Sequence, residues 1–232
     1  MLPRLLFGYK ITQCLYVAAK LNIADHLAAG SMHINELAEL VGAKAEPLYR
    51  VMRCLVALGV FTEKNKCFGA NEISNQLETH SDNSLKDFVI LCGEELYQAA
   101  GGLLYSVQND LPAFNKIYGM SHWNFLEKNP DAAMIFHNAM ERGSKSTLKK
   151  ILEYYDFSRF TNIIDVGGGK GHFLCEILQT NPTARGIVFD MPNAEKSAIK
   201  FIKKRHLNNQ LSLSRVISLP QFPKVVIFIY SK

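Results

Sequence analysis

Apolar side chains recur at helical spacing at Leu5, Ile11, Leu15, Ala18, Leu21 and Leu27, with Gly30 after them, so residues 5–29 are predicted to form one amphipathic helix. A second helix is predicted through Ile34–Val41, ending at Gly42. A third opens with Pro47, whose missing N–H costs nothing in a helix's first turn. It continues through Leu48, Val51, Met52, Leu55 and Leu58 to Gly59. Val60-Phe61-Thr62 and Cys67-Phe68-Gly69, on either side of a polar Lys64-Asn65-Lys66 tip, then predict a small β-hairpin. Three helices followed by a hairpin make a winged helix.

The second half has a different rhythm. Asn129-Pro130-Asp131 is a helix start: a candidate N-cap, a proline at the first position and a negative charge near the positive end of the helix dipole. The helix places Phe136, Ala139, Met140 and Gly143 on one side, a stripe that spacing alone assigns to a core. Ile163–Val166, apolar but for Asp165, and the apolar run Gly186–Phe189 read as short buried strands. Phe173, Ile177 and Leu178 between them form the buried face of a helix. Strand, helix, strand in that order predicts a parallel sheet and an α/β fold class.

The composition is that of an ordinary soluble protein, with 48% hydrophobic and 20% charged residues, which excludes a fibre or a disordered chain. No apolar run approaches the roughly 20 residues that cross a bilayer. Lys10, Gln13 and Lys20 interrupt the apolar N-terminus where a signal peptide would be continuous, so the cytoplasm is the expected location. The five cysteines are scattered, with no Cys-x-x-Cys pair, and are expected to be reduced, partly buried thiols without a metal. The net charge of +5 divides into −2 over residues 1–100 and +7 over the remainder. Lys196, Lys200, Lys203, Lys204 and Arg205 then read as a solvated helix face. A DNA-recognition helix needs basic side chains against a polyanion, and the third helix offers only Arg50 and Arg53 in an acidic setting. It reads as a protein–protein element, and nucleic-acid binding is not expected.

Candidate chemistry centres on Asn162–Phe173 with Phe189-Asp190: a strand, a glycine-dense turn, a helix start, and a carboxylate at the tip of the next strand. Glycines let a backbone approach an adenosyl cofactor, and the carboxylate suits ribose hydroxyls. A dinucleotide fingerprint needs glycine where His172 stands, and a P-loop needs Lys-Ser or Lys-Thr after its last glycine. What remains is Asp165-x-Gly167-x-Gly169-x-Gly171, with Gly168 inside it, a pattern that resembles that of S-adenosylmethionine (SAM) enzymes. Lys170 and His172 are expected at the surface.

Over about residues 8–210 the chain resembles the small-molecule O-methyltransferases that include the acetylserotonin, caffeate and hydroxyneurosporene methyltransferases. Leu37-Ala38, Leu48-Tyr49-Arg50 and Leu55–Phe61 resemble the family's dimerisation domain, and Phe136–Met140 with Ser144 its inter-domain helix. Ile164–Gly169 and Phe189-Asp190-Met191-Pro192 resemble its cofactor motifs. The resemblance implies a winged-helix dimerisation domain over 1–80, a helical linker over 81–150, and an incomplete Rossmann-like class I methyltransferase domain over 151–232. It implies a homodimer and SAM as cofactor. It also implies a small aromatic or polyketide-like hydroxyl compound as acceptor. Gly167, Gly168, Gly169 and Gly171 would pack against SAM, Asp190 would hold its ribose, and Met191 would lie beside it. Met140 and Ser144 would approach cofactor or acceptor. Asp165 would sit near the cofactor's cationic end or stabilise the turn.

The family's catalytic base is the histidine of a His-Asp-Trp motif, which does not occur here, and His172 lies in the wrong motif for it. No catalytic residue is therefore assigned, and the chain itself is expected to have little turnover. The alternative is a non-catalytic dimeric winged-helix protein that binds SAM or DNA. The last residues depart from the family. Read one base earlier through synonymous codons, Arg215–Lys232 can encode Gly-Asp-Phe-Phe-Thr-Ser-Ile-Pro-Gln-Gly-Gly-Asp-Ile-Tyr-Ile-Leu-Lys, the segment the family would have there. Only wobble bases are free in that reading, so a frameshift near residues 211–215 is expected. A shortened sheet would leave an unpaired edge, and Val225–Tyr230 would be an aggregation hazard unless it paired as a strand.

Overall fold

The computed structural model describes residues 2–190, 195–215 and 228–230. The chain divides into two compact units, Met1–Arg142 and Gly143–Lys232.

In the first unit, α1 (Leu2–Leu6), α2 (Gly8–Lys20) and α3 (Ile23–Leu27) occupy the stretch predicted as one helix. The helix breaks at Asn22, which takes the left-handed conformation at φ 55°. A two-residue strand, β1 (Met32–His33), leads into α4 (Ile34–Leu40), and α5 (Ala45–Ala57) follows with Pro47 in its first turn. The hairpin is β2 (Thr62–Lys64) and β3 (Cys67–Gly69). Lys64 pairs with Cys67, so only Asn65 and Lys66 turn the chain, and both have positive φ, as a type I′ turn requires. β1 adds to β3 as a third antiparallel strand. Ile23, Leu37, Met52, Leu55, Phe61 and Phe68 form the core, so the faces predicted to be apolar are the buried ones.

Five short helices follow: α6 (Lys86–Gly93), α7 (Glu95–Gly101), α8 (Leu103–Asn109), α9 (Ala113–Tyr118) and α10 (His122–Lys128). The long α11 (Pro130–Tyr154) runs from the first unit into the second. Asn129 precedes it, but its side-chain amide donates back to the Phe125 carbonyl at the end of α10. Its backbone carbonyl accepts the first bond of α11 from Ala133.

The second unit is a parallel sheet of β4 (Asn162–Val166), β5 (Arg185–Asp190), β6 (Leu211–Arg215) and β7 (Phe228–Tyr230). Helices α12 (His172–Thr180) and α13 (Glu195–Lys204) make the crossovers from β4 to β5 and from β5 to β6. Strand order is β6-β5-β4-β7, so the chain builds outward from β4 and then returns to its other side. Ile164, Asp165 and Val166 pair with Phe228, Ile229 and Tyr230, so the last three residues of the run expected to be a hazard unless paired are paired, while Val225–Ile227 lie outside the described residues. The tail residues 216–227 lie outside the described residues. Leu174, Ile177 and Leu178 of α12 are fully buried in the core of this unit, and Lys196, Lys200, Lys203 and Lys204 are exposed on α13.

Candidate functional site

The direction of building reverses at β4: one neighbour is β5, reached through α12, and the other is β7. Open α/β sheets bind ligands at the carboxyl ends of strands flanking such a reversal, because the loops there diverge and leave a crevice. The glycine loop leaves β4 at that end. Its first N–H, on Gly167, donates to the Phe189 carbonyl at 2.8 Å, which ties the loop to β5. Gly167, Gly169 and Gly171 all have positive φ.

Asp190 ends β5 opposite this loop. Its Oδ2 accepts the Gly169 N–H at 2.6 Å, a charge-assisted bond linking the loop to the neighbouring strand. Asp165 lies deeper, only 2% exposed. Its Oδ2 has no hydrogen-bond partner among the described residues. Burial pushes its carboxyl up to about 7, and the like charge of Asp190 adds to the rise. A Cβ at residue 168 would stand 2.5 Å from that oxygen, so Gly168 is what lets the loop cross the buried carboxyl.

Asp165, Gly167, Gly168, Gly169, Gly171 and Asp190 are thus brought together around the ends of β4 and β5. Met191 lies outside the described residues. Met140 is half-buried on α11 in the first unit, and Ser144 lies on the same helix in the second, its side chain outside the described residues. His172 corrects the expectation of a surface position: it is buried at the start of α12 and stacks on Phe201 of α13, with ring centroids 5.6 Å apart. It stands in the first turn of α12, where Phe201 of the next crossover helix covers the imidazole. Lys170 is half-exposed.

These features fit an adenosyl cofactor: an anchored carboxylate at the β5 tip, a backbone stripped of Cβ atoms, and a buried carboxyl with an unpartnered oxygen beneath it. Comparison with known proteins agrees. Residues 101–214 match the O-methyltransferase domain, and residues 4–79 match the O-methyltransferase dimerisation domain. The chain belongs to the O-methyltransferase family. It is 40% identical over 200 residues to phenazine O-methyltransferase PhzM of Lysobacter antibioticus, a match covering 86% of this chain and 59% of that protein. The solved structure of LaPhzM superposes with a TM-score of 0.87 at 36% identity, covering 97% of this chain and 69% of that one. NcsB1, an O-methyltransferase from neocarzinostatin biosynthesis, was solved with SAM and 2-hydroxy-5-methyl naphthoic acid. It superposes with a TM-score of 0.76 at 28% identity, covering 88% of this chain and 64% of that one. The chain therefore spans about three-fifths of the length of such relatives. The family uses S-adenosylmethionine. Among the described residues no helix is long and apolar enough to cross a membrane.

Proposed function

We propose that the chain carries the cofactor-binding part of a SAM-dependent O-methyltransferase whose acceptor is a hydroxyl of a small aromatic or polyketide-like molecule. The Asp190–Gly169 contact at the strand-order reversal carries this reading, because it fixes a carboxylate where a ribose would meet the glycine loop. Names of the relatives support the acceptor class, being methyltransferases of phenazines, hydroxybenzoates and naphthoates. When bound, the cofactor supplies a methyl group on a positively charged sulfur. Gly167, Gly168, Gly169 and Gly171 would admit it, Asp190 would hold the ribose hydroxyls, and Asp165 would face its cationic end. By family resemblance Met191, Met140 and Ser144 would complete the surroundings.

Residues 1–80 are proposed as the dimerisation domain, 81–150 as a helical linker and 151–232 as the cofactor domain. The dimerisation match supports a homodimer, as do the exposed Leu2, Leu5, Leu6 and Phe7 at the chain's start. Arg53 and Arg50 of α5 face Glu63 and Glu46 at 3.2 and 4.0 Å, which supports a partner-facing rather than DNA-reading helix. The free thiols suit a reducing compartment, and we place the protein in the cytoplasm.

Methyl transfer needs acceptor oxygen, methyl carbon and sulfur in line and a base for the hydroxyl proton. The 232 residues contain no His-Asp-Trp, so SAM binding without appreciable turnover is expected of this chain. Incubation of the purified protein with SAM and phenolic acceptors, read by mass spectrometry, tests this. Methylated product at enzymatic rates would refute it.

A further inference from the structure

Two of the five free cysteines meet across a helix pair in the first unit. Cys14 stands on α2 and Cys54 on α5, and these helices pack directly against each other. Ala18, one turn beyond Cys14, and Met52 and Leu55, flanking Cys54, are buried in the core that the two helices share. Cys14 lies against that core, and both cysteines are partly exposed. The Cys14 thiol is within hydrogen-bonding reach of the Cys54 sulfur.

A packed helix pair supplies the geometry that a disulfide needs. Packed axes lie roughly 8–10 Å apart, and Cα atoms stand about 2.3 Å off each axis. Residues facing each other across such a contact bring their Cα atoms into the range of roughly 4.4–6.8 Å that a disulfide spans. Burial pushes the Cys14 thiol up to about 11, and the Cys54 sulfur adds to the rise. Cys14 thus keeps its proton near neutral pH, and the first attack on an oxidant falls to Cys54. Burial also raises the Cys92 and Cys175 thiols, but among the described residues no second sulfur acts on either.

We propose that Cys14 and Cys54 form a reversible disulfide, a redox-controlled staple between α2 and α5 in the segment that matches the dimerisation domain. The oxidant is a small disulfide of the oxidised-glutathione class. The Cys54 thiolate attacks one sulfur of glutathione disulfide and expels one glutathione thiolate, which takes up a proton. Cys14 then gives up its proton, attacks Cys54 Sγ in the mixed disulfide and expels the second glutathione. The protein sulfurs lose a pair of electrons, and one glutathione disulfide becomes two glutathione thiols. Excess thiol reverses both steps. Disulfides of this kind inside cells are transient and sensing rather than structural, in keeping with a reducing compartment. The closed bond ties α2 to α5 around α3, β1 and α4, and so restricts the unfolded chain over that loop.

The test equilibrates the full 232-residue protein with glutathione buffers of rising oxidised fraction. Free thiols are then blocked with N-ethylmaleimide, and disulfides are mapped by non-reducing peptide mass spectrometry. The wild type is expected to yield a Cys14–Cys54 link within one chain, closed before any other cysteine pair and lost on adding dithiothreitol. Cys14→Ser is expected to trap glutathione on Cys54, because the resolving thiol is gone. The oxidised wild type is expected to melt about 5 °C or more above the reduced protein, a difference that Cys14→Ser abolishes. Absence of the Cys14–Cys54 link in the folded wild type overturns the proposal. So does a link formed only between chains, or one formed no more readily than links among Cys67, Cys92 and Cys175. The wild-type map needs no variant, so it decides even if the serine variant fails to fold.

Discussion

Asp165 Oδ2 lies 2.5 Å from the position a Cβ would take on residue 168, so the buried carboxyl and the loop above it are fitted to each other. Gly168→Ala must displace either the carboxyl or the loop. The expected loss is about 1–3 kcal/mol, the range for overpacking a tight site, measured by urea unfolding.

The same carboxyl makes stability depend on pH. Its pKa rises from 3.8 to about 7 on folding, so the native state holds the proton more tightly than the unfolded chain. Stability is expected to fall as pH rises from about 4 to about 7 and then to level off, by at most about 4 kcal/mol from this group. Asp165→Asn removes the titration. Its unfolding free energy, followed across that window, should lack this decline. An identical pH slope in wild type and variant would show that Asp165 is ionised in the native state.

Gly167 and Gly171 share positive φ, at 75° and 77°, but differ in surroundings. A Cβ at 167 meets nothing within 4 Å, whereas one at 171 would stand 2.8 Å from Val188 Cγ2. Gly167→Ala should cost only the left-handed strain, about 1–2 kcal/mol. Gly171→Ala should cost roughly 1–3 kcal/mol more, because β5 cannot withdraw from its place in the sheet. Equal losses in thermal unfolding would contradict the close packing at Val188.

The gene sequence around codons 211–232 is expected to show the reading described for Arg215–Lys232: the frame one base earlier should encode Asp-Phe-Phe and, further on, Asp-Ile-Tyr-Ile-Leu. Codons that give no such segment would dispose of the frameshift. The proposal is compatible with β7, because both frames place apolar residues at Phe228–Tyr230, where β4 pairs in parallel.

Much of this architecture is legible along the chain because it is written in short-range patterns. The spacing of Leu48, Met52 and Leu55 marks the buried face of α5, and the all-apolar run at Ile163–Ile164 marks a strand covered on both faces. The glycine spacing with Asp190 marks the loop. Features that depend on partners distant in sequence are hidden. β1 is two residues long and exists only because β3 pairs with it. The break after Lys20 turns on one left-handed asparagine within an otherwise continuous helical pattern. His172 reads as surface by residue type, yet Phe201 of the next crossover helix covers it. Cys14 and Cys54 are far apart in sequence, and only the packing of α2 on α5 brings their sulfurs together.

The most direct test of the account is a calorimetric titration of SAM into the wild-type chain and into Asp190→Ala. The account predicts one site per chain in the wild type and at least tenfold weaker binding in the variant, whose fold should survive the loss of the Gly169 N–H bond. No SAM binding by the folded wild type, or equal affinity in the two proteins, would contradict it.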